Sequence, residues 1–83
     1  MRAVLDASAA ANIILRTALA PGLIEKLKHS HLVIAPTLFH SEIANTLCKY
    51  VRFGDLDKET ALTRYAEAIG LVDTFEADEQ LAA

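Results

Sequence analysis

The chain has 83 residues, which is room for one small domain and not for two. Eight Lys and Arg against eleven Asp and Glu leave a formal charge of −3, which argues against a plain nucleic-acid coat with a basic surface. The single cysteine, Cys48, excludes an internal disulfide and a multi-cysteine zinc site.

Arg2 to Leu5 is a short apolar run ending at Asp6, and it reads as a buried parallel strand. Ala7 to Leu15 favours helix, with Ser8 placed to cap its start. Pro21 and Gly22 should break that helix and open a second, with Leu23, Ile24 and Leu27 as its apolar stripe and His29-Ser30-His31 as its end. Leu32 to Ala35 is a second buried strand, stopped by Pro36. Thr37 then caps a long helix whose Phe39, Ile43, Leu47 and Val51 share one face. Phe53-Gly54-Asp55 ends it, and Asp57 begins a fourth helix carrying Ala61, Leu62, Tyr65, Ala66 and Ile69, closed by Gly70. Leu71-Val72 is expected as a third short strand, with a further helix from Ala77 to Ala83. Strands alternating with helices predict an α/β fold: a short parallel sheet of about three strands with flanking helices.

Other totals fit this reading. Of the residues, 53% are apolar, while a domain this small buries only roughly 60–65% of its unfolded surface. Apolar surface is therefore expected to remain for a partner. No run approaches the ~20 apolar residues of a membrane span. Asp6 and Asn12 interrupt the apolar start, which argues against a secretion signal. Cys48 is expected to be a small core residue, and a reducing, cytoplasmic setting suits it.

Two carboxylates stand out. Asp6 follows the first strand, and the C-terminal ends of strands in open α/β sheets are where ligands bind. Its plain alternative is an acid that stabilises a helix N-terminus. Glu42 lies near the start of the long helix, little more than one turn after Pro36, with Asn45 and Lys49 on or near its side. It can share the strand-end rim with Asp6, and such a pair suits a hard cation such as Mg²⁺ or Mn²⁺. Its alternative is an ordinary first-turn glutamate. His29, His31 and His40 lack the regular spacing of a zinc site and read as loop and surface residues. The acids Asp73, Glu76, Asp78 and Glu79 read as a solvated helix start.

These residues carry a resemblance. Val4-Leu5-Asp6-Ala7-Ser8-Ala9 resembles the first motif of the PIN domain family, in which an apolar strand ends in Asp followed by a small residue and Ser. The stretch from Val33 to Leu47, with Pro36, Glu42, Asn45 and Leu47, is similar to the family's second motif. Lys49 to Leu56 resembles the basic end of that helix and the turn after it. The resemblance covers nearly the whole chain and is to members of the VapC toxin type. It implies a metal-dependent endoribonuclease with Asp6 and Glu42 as the metal-binding, catalytic carboxylates and Mg²⁺ or Mn²⁺ as cofactor. Ser8 and Asn45 would support them. In an active enzyme Lys49 and Arg52 would touch RNA phosphate; their plain alternative is the solvated face of the long helix.

It further implies a homodimer or higher oligomer, an RNA substrate and a VapB-like antitoxin. Members are about half as long again, with a third and a fourth acid in the additional part. Residues 1–83 are accordingly expected to be a single, incomplete PIN-like domain with its first strand exposed at an edge. A catalytically inactive remnant or fragment, acting by oligomerisation or partner binding, is the alternative. An unrelated response-regulator-like domain ranks below both, because its adjacent acids and later lysine are missing.

Overall fold

The computed structural model describes residues 2–77. Its elements run β1 (Arg2–Val4), α1 (Ala7–Ile14), α2 (Ala20–Lys28), β2 (Leu32–Pro36), α3 (Phe39–Arg52), α4 (Lys58–Gly70) and β3 (Thr74–Glu76). The three strands form one parallel sheet in the order β1-β2-β3. Val4 lies opposite Ile34, and Pro36 opposite Glu76. The protein is thus an α/β fold with a short parallel sheet and flanking helices, as the alternation predicts.

The core grows from two sources. In β2, Val33 and Ala35 face one side and Ile34 the other, and all three are buried, as in a strand covered on both faces. In α3, Phe39, Ile43 and Leu47 recur every fourth residue and are buried. Six of the fourteen buried apolar residues are alanines, which lets α1 pack closely against α2, α3 and α4. The few large core side chains therefore carry much of the apolar burial.

Several local expectations are corrected. β1 lies at an edge, as the incomplete-domain reading expects, and is not the buried strand that its apolar run suggests: among the described residues it pairs on one side only, and Val4 is 62% exposed. Only Leu5, just past its end, is buried. The cap of α1 is Asp6, whose Oδ1 accepts the Ala9 amide at 2.7 Å, and not Ser8. That helix ends well before Pro21. Arg16 adopts a left-handed φ of 57°, Arg16 N donates to the Ile13 carbonyl, and Thr17 N donates to the Asn12 carbonyl. This is a complete helix-ending motif with arginine where glycine is usual, so composition gave no sign of it. Pro21 instead sits in the first turn of α2, where its missing N–H costs nothing.

Thr37 caps nothing, since α3 starts after Leu38 with no side-chain cap. Gly54 ends α3 with a φ of 81°, and Asp55 N donates to the Tyr50 carbonyl at 2.8 Å. Gly70 plays no such role. It is the last residue of α4, and that helix closes through tight bonds from Leu71 to Ala68 and from Val72 to Ile69.

The third strand is Thr74–Glu76, not Leu71-Val72, which are half-buried residues of the helix exit. Asp73 fixes this register: its amide donates to the Val33 carbonyl at 2.8 Å, and its Oδ2 accepts the Val33 amide at 2.7 Å. Glu76 is consequently a strand residue and Asp73 stands just before that strand, so neither belongs to a helix start. Asp78 and Glu79, like the helix expected from Ala77 onward except for Ala77 itself, lie outside the described residues. Cys48 is exposed, one position off the buried stripe of α3. Leu62 is also exposed. Among the described residues, no helix is long and apolar enough to cross a membrane.

Asp57 caps α4, with its Oδ1 accepting the Thr60 amide at 2.7 Å. The Thr60 backbone N–H, and secondarily its hydroxyl, hold this carboxyl below its ordinary value of 3.8. A depressed carboxyl contributes stability above its unfolded value and loses it as pH falls through the folded value. The stability gap between the wild type and Asp57→Ala is therefore expected at neutral pH and should close on acidification below 3.8. Urea unfolding of both proteins across that range measures it, and a gap that persists in acid would contradict the capping role.

Candidate functional site

The parallel register builds one rim from two strand ends. Leu5 N donates to the Ile34 carbonyl at 2.8 Å, so the chain leaves β1 beside the end of β2. Asp6 follows immediately. From the end of β2, Thr37 and Leu38 lead directly into α3, and Glu42 lies in its first turn. There the helix dipole favours a carboxylate by about 0.3–1 kcal/mol.

Between α1 and α3 lies a cleft of about 360 Å³. Ser8, Ala11 and Asn12 line it from α1, and Glu42, Thr46 and Tyr50 from α3. The α3 residues are spaced by four, so one face of that helix forms the wall. Among the described residues, Glu42 is the only charged one lining the cleft, and its carboxylate has no ion-pair partner. The uncompensated negative charge makes this end of the cleft attractive to a cation.

The remaining polar groups are mostly engaged locally. Asn12 Nδ2 donates to the Ser8 carbonyl at 2.9 Å, and Asn12 Oδ1 accepts from Thr17 Oγ1 at 2.7 Å. Thr46 Oγ1 donates to the Glu42 carbonyl at 3.0 Å. Asp6 gives one oxygen to the helix cap and retains the other.

The structure therefore brings Ser8 and Glu42 to one cleft, with Asp6 two residues before Ser8. Asn45 and Lys49 are exposed on α3 and do not line the cleft. Arg52 lines a different groove. Lys49 and Arg52 both lie in the last turn of α3, where cations also complement the helix dipole. Asn12, Thr46 and Tyr50 were missed from the sequence. Their signal was available as spacings of four from Ser8 and from Glu42.

The second groove, about 500 Å³, runs between α3 and α4 over Leu47, Val51, Ala61, Leu62 and Tyr65, with Arg52 and Lys58 beside it. Of the histidines, His29 approaches Glu25 at 3.2 Å and His31 is exposed. His40 is half-buried, its ring 4.2 Å from that of Phe75, so it is a packing residue rather than a surface one.

A divalent ion is what the resemblance implies here, and the donors fit it in kind. One free oxygen of Asp6, the Glu42 carboxylate and the Ser8 hydroxyl are all hard oxygen ligands. Mg²⁺ is commonly held by one or two carboxylates, with waters and substrate phosphate completing its shell. Among the described residues, no group of three or more His, Cys, Asp or Glu comes together to hold a metal.

Fold and cleft together define a small α/β protein whose two exposed carboxylates follow adjacent parallel strand ends. Compared with known proteins, the chain matches no protein-family model and no curated protein.

Proposed function

We propose that this chain is a PIN-type protein of the VapC class, acting as a metal-dependent endoribonuclease. One observation carries the reading: Asp6 and Glu42 follow the ends of two neighbouring parallel strands, and Glu42 stands in a cleft with no cation among its lining residues. Asp6 and Glu42 would hold Mg²⁺ or Mn²⁺. When bound, the ion supplies an activated water and neutralises charge at the phosphate.

The protein's own residues do the positioning. The α1 cap fixes the Asp6 side chain, because Oδ1 is held by the Ala9 amide. The first turn of α3 fixes Glu42. Ser8 offers a hydroxyl at the same cleft, and Asn45 supports from the exposed side of α3. Lys49 and Arg52 bind RNA backbone, a contact that adds affinity without sequence choice. A second copy of the chain, or a higher oligomer, would cover the open edge of β1 and the apolar α3–α4 groove. A VapB-like antitoxin and a cytoplasmic location complete this reading.

The α3–α4 groove also supports a second reading, a PIN remnant that works by association alone. The two are separated by incubating the full chain with a mixed RNA pool and Mn²⁺ or Mg²⁺, beside an EDTA control and Glu42→Gln. The nuclease reading expects cleavage that needs the metal and falls at least roughly 100-fold in the variant, since even outer-shell partners of a metal site are worth 10–100-fold. Intact RNA after incubation with folded protein would leave the association reading.

A further inference from the structure

Tyr50 is 37% exposed and lines the α1–α3 cleft, the one aromatic residue to do so among the described residues. It lies eight residues beyond Glu42 on the same face of α3, which is ~12 Å along the helix axis.

The opposite wall is low. Ala7 and Ala11 stand where larger side chains would close the cleft. A slot thus runs between the small residues Ala7, Ser8 and Ala11 of one helix and the partly accessible ring of Tyr50, with the Glu42 carboxylate further along α3. At about 360 Å³, the slot belongs with small-molecule sites, which start at about 300 Å³. That is room for one flat group and not for a protein segment.

We propose that this slot binds one nucleotide of single-stranded RNA, with its base stacked on Tyr50. The identity of the ligand as RNA rests on the ribonuclease reading of Asp6 and Glu42; the stacking rests on the slot. The base end lies at Tyr50, and the backbone runs toward Glu42, where phosphate is accepted only through a bound cation.

The slot recognises a base by its face and not by its edge. Both ends of the Asn12 amide are committed within the protein, Nδ2 to the Ser8 carbonyl and Oδ1 to the Thr17 hydroxyl. The Thr46 hydroxyl donates to the backbone of its own helix. The hydroxyls of Ser8 and Tyr50 remain, two rotatable groups rather than a fixed donor–acceptor array for a Watson–Crick edge, so binding is tolerant of base identity, as aromatic stacking generally is. Bases within a duplex are already stacked on one another and do not enter.

The test is equilibrium binding of the full chain to end-labelled oligouridylate and oligoadenylate in Ca²⁺, with the oligonucleotide recovered and checked for intactness. Tyr50→Phe keeps the ring, and Tyr50→Leu keeps apolar bulk without a π-face. Because Tyr50 lies outside the core, both variants should fold, and circular dichroism verifies this. Stacking worth about 1–3 kcal/mol per base predicts that Tyr50→Leu weakens both oligomers by about 5- to 150-fold, while Tyr50→Phe stays within about twofold. Binding to a blunt duplex should be unchanged by either substitution.

Equal affinity of the wild type and Tyr50→Leu would overturn the proposal, as would a wild type that binds neither oligomer. Cleavage assays on the same proteins keep the two claims apart. Tyr50-dependent binding without cleavage removes the nuclease reading alone. Metal-dependent cleavage with Tyr50-independent binding removes the stacking alone.

Discussion

Replacing Phe39 by alanine is expected to remove about 3–5 kcal/mol of stability, the usual cost of truncating a fully buried phenylalanine. Phe39 is only 1% exposed and is the largest fully buried side chain. Its ring lies 5.9 Å from that of Phe75 at 53°, a tilted pairing that adds about 0.5–1.5 kcal/mol beyond burial. It therefore joins the long helix to the third strand.

A domain of this length has roughly 4–12 kcal/mol in total at 0.05–0.15 kcal/mol per residue. The loss is thus about a quarter or more of that total. In urea, the midpoint should fall steeply with the slope unchanged. Leu19→Ala is the control: Leu19 is 64% exposed, and its truncation should stay within about 0.5 kcal/mol. Comparable losses in the two variants would show that the core is not where these contacts put it.

The second large effect concerns Asp6, which has two separable duties. Its Oδ1 caps α1 through the Ala9 amide, and its charge belongs to the proposed metal pair. Asparagine caps a helix about as well as aspartate, whereas alanine costs about 0.5–2 kcal/mol. Asp6→Asn should therefore unfold within a few tenths of a kcal/mol of the wild type, and Asp6→Ala about 1 kcal/mol earlier. Both should lose metal-dependent cleavage by at least roughly 100-fold, more than an outer-shell residue would cost. If the residue were only a cap, activity would follow stability, and the asparagine variant would remain active.

Much of the fold was legible because its strongest signals are periodic or capped. The spacing of Phe39, Ile43 and Leu47, the cap at Asp57 and the stop at Gly54 all lie where the structure has them. What escaped was set by tertiary contacts. The third strand holds one apolar residue between two polar ones, too short for an alternating pattern to emerge. Its position depends on Asp73 reaching Val33, a partner forty residues away. The end of α1 depends on an arginine adopting a conformation that usually marks glycine.

The candidate site divides in the same way. That Asp6 and Glu42 come shortly after two strand ends was legible from the order of apolar runs, Pro36 and helix in the sequence. The cleft beside Glu42 was not, since it exists only where the four-residue spacings of two helices face each other. Cys48 was misjudged because a small sulfur side chain carries no directional signal, and a single helical step separates it from the buried stripe.

The measurement that bears most directly on the central claim is the rate of Mg²⁺- or Mn²⁺-dependent RNA cleavage by the wild type and by Asp6→Asn at matched folded fraction. The account predicts cleavage by the wild type that EDTA abolishes, and none above background from the equally stable asparagine variant. Equal cleavage by the two proteins, or none by either, would contradict the assignment of Asp6 and Glu42 as a catalytic metal pair.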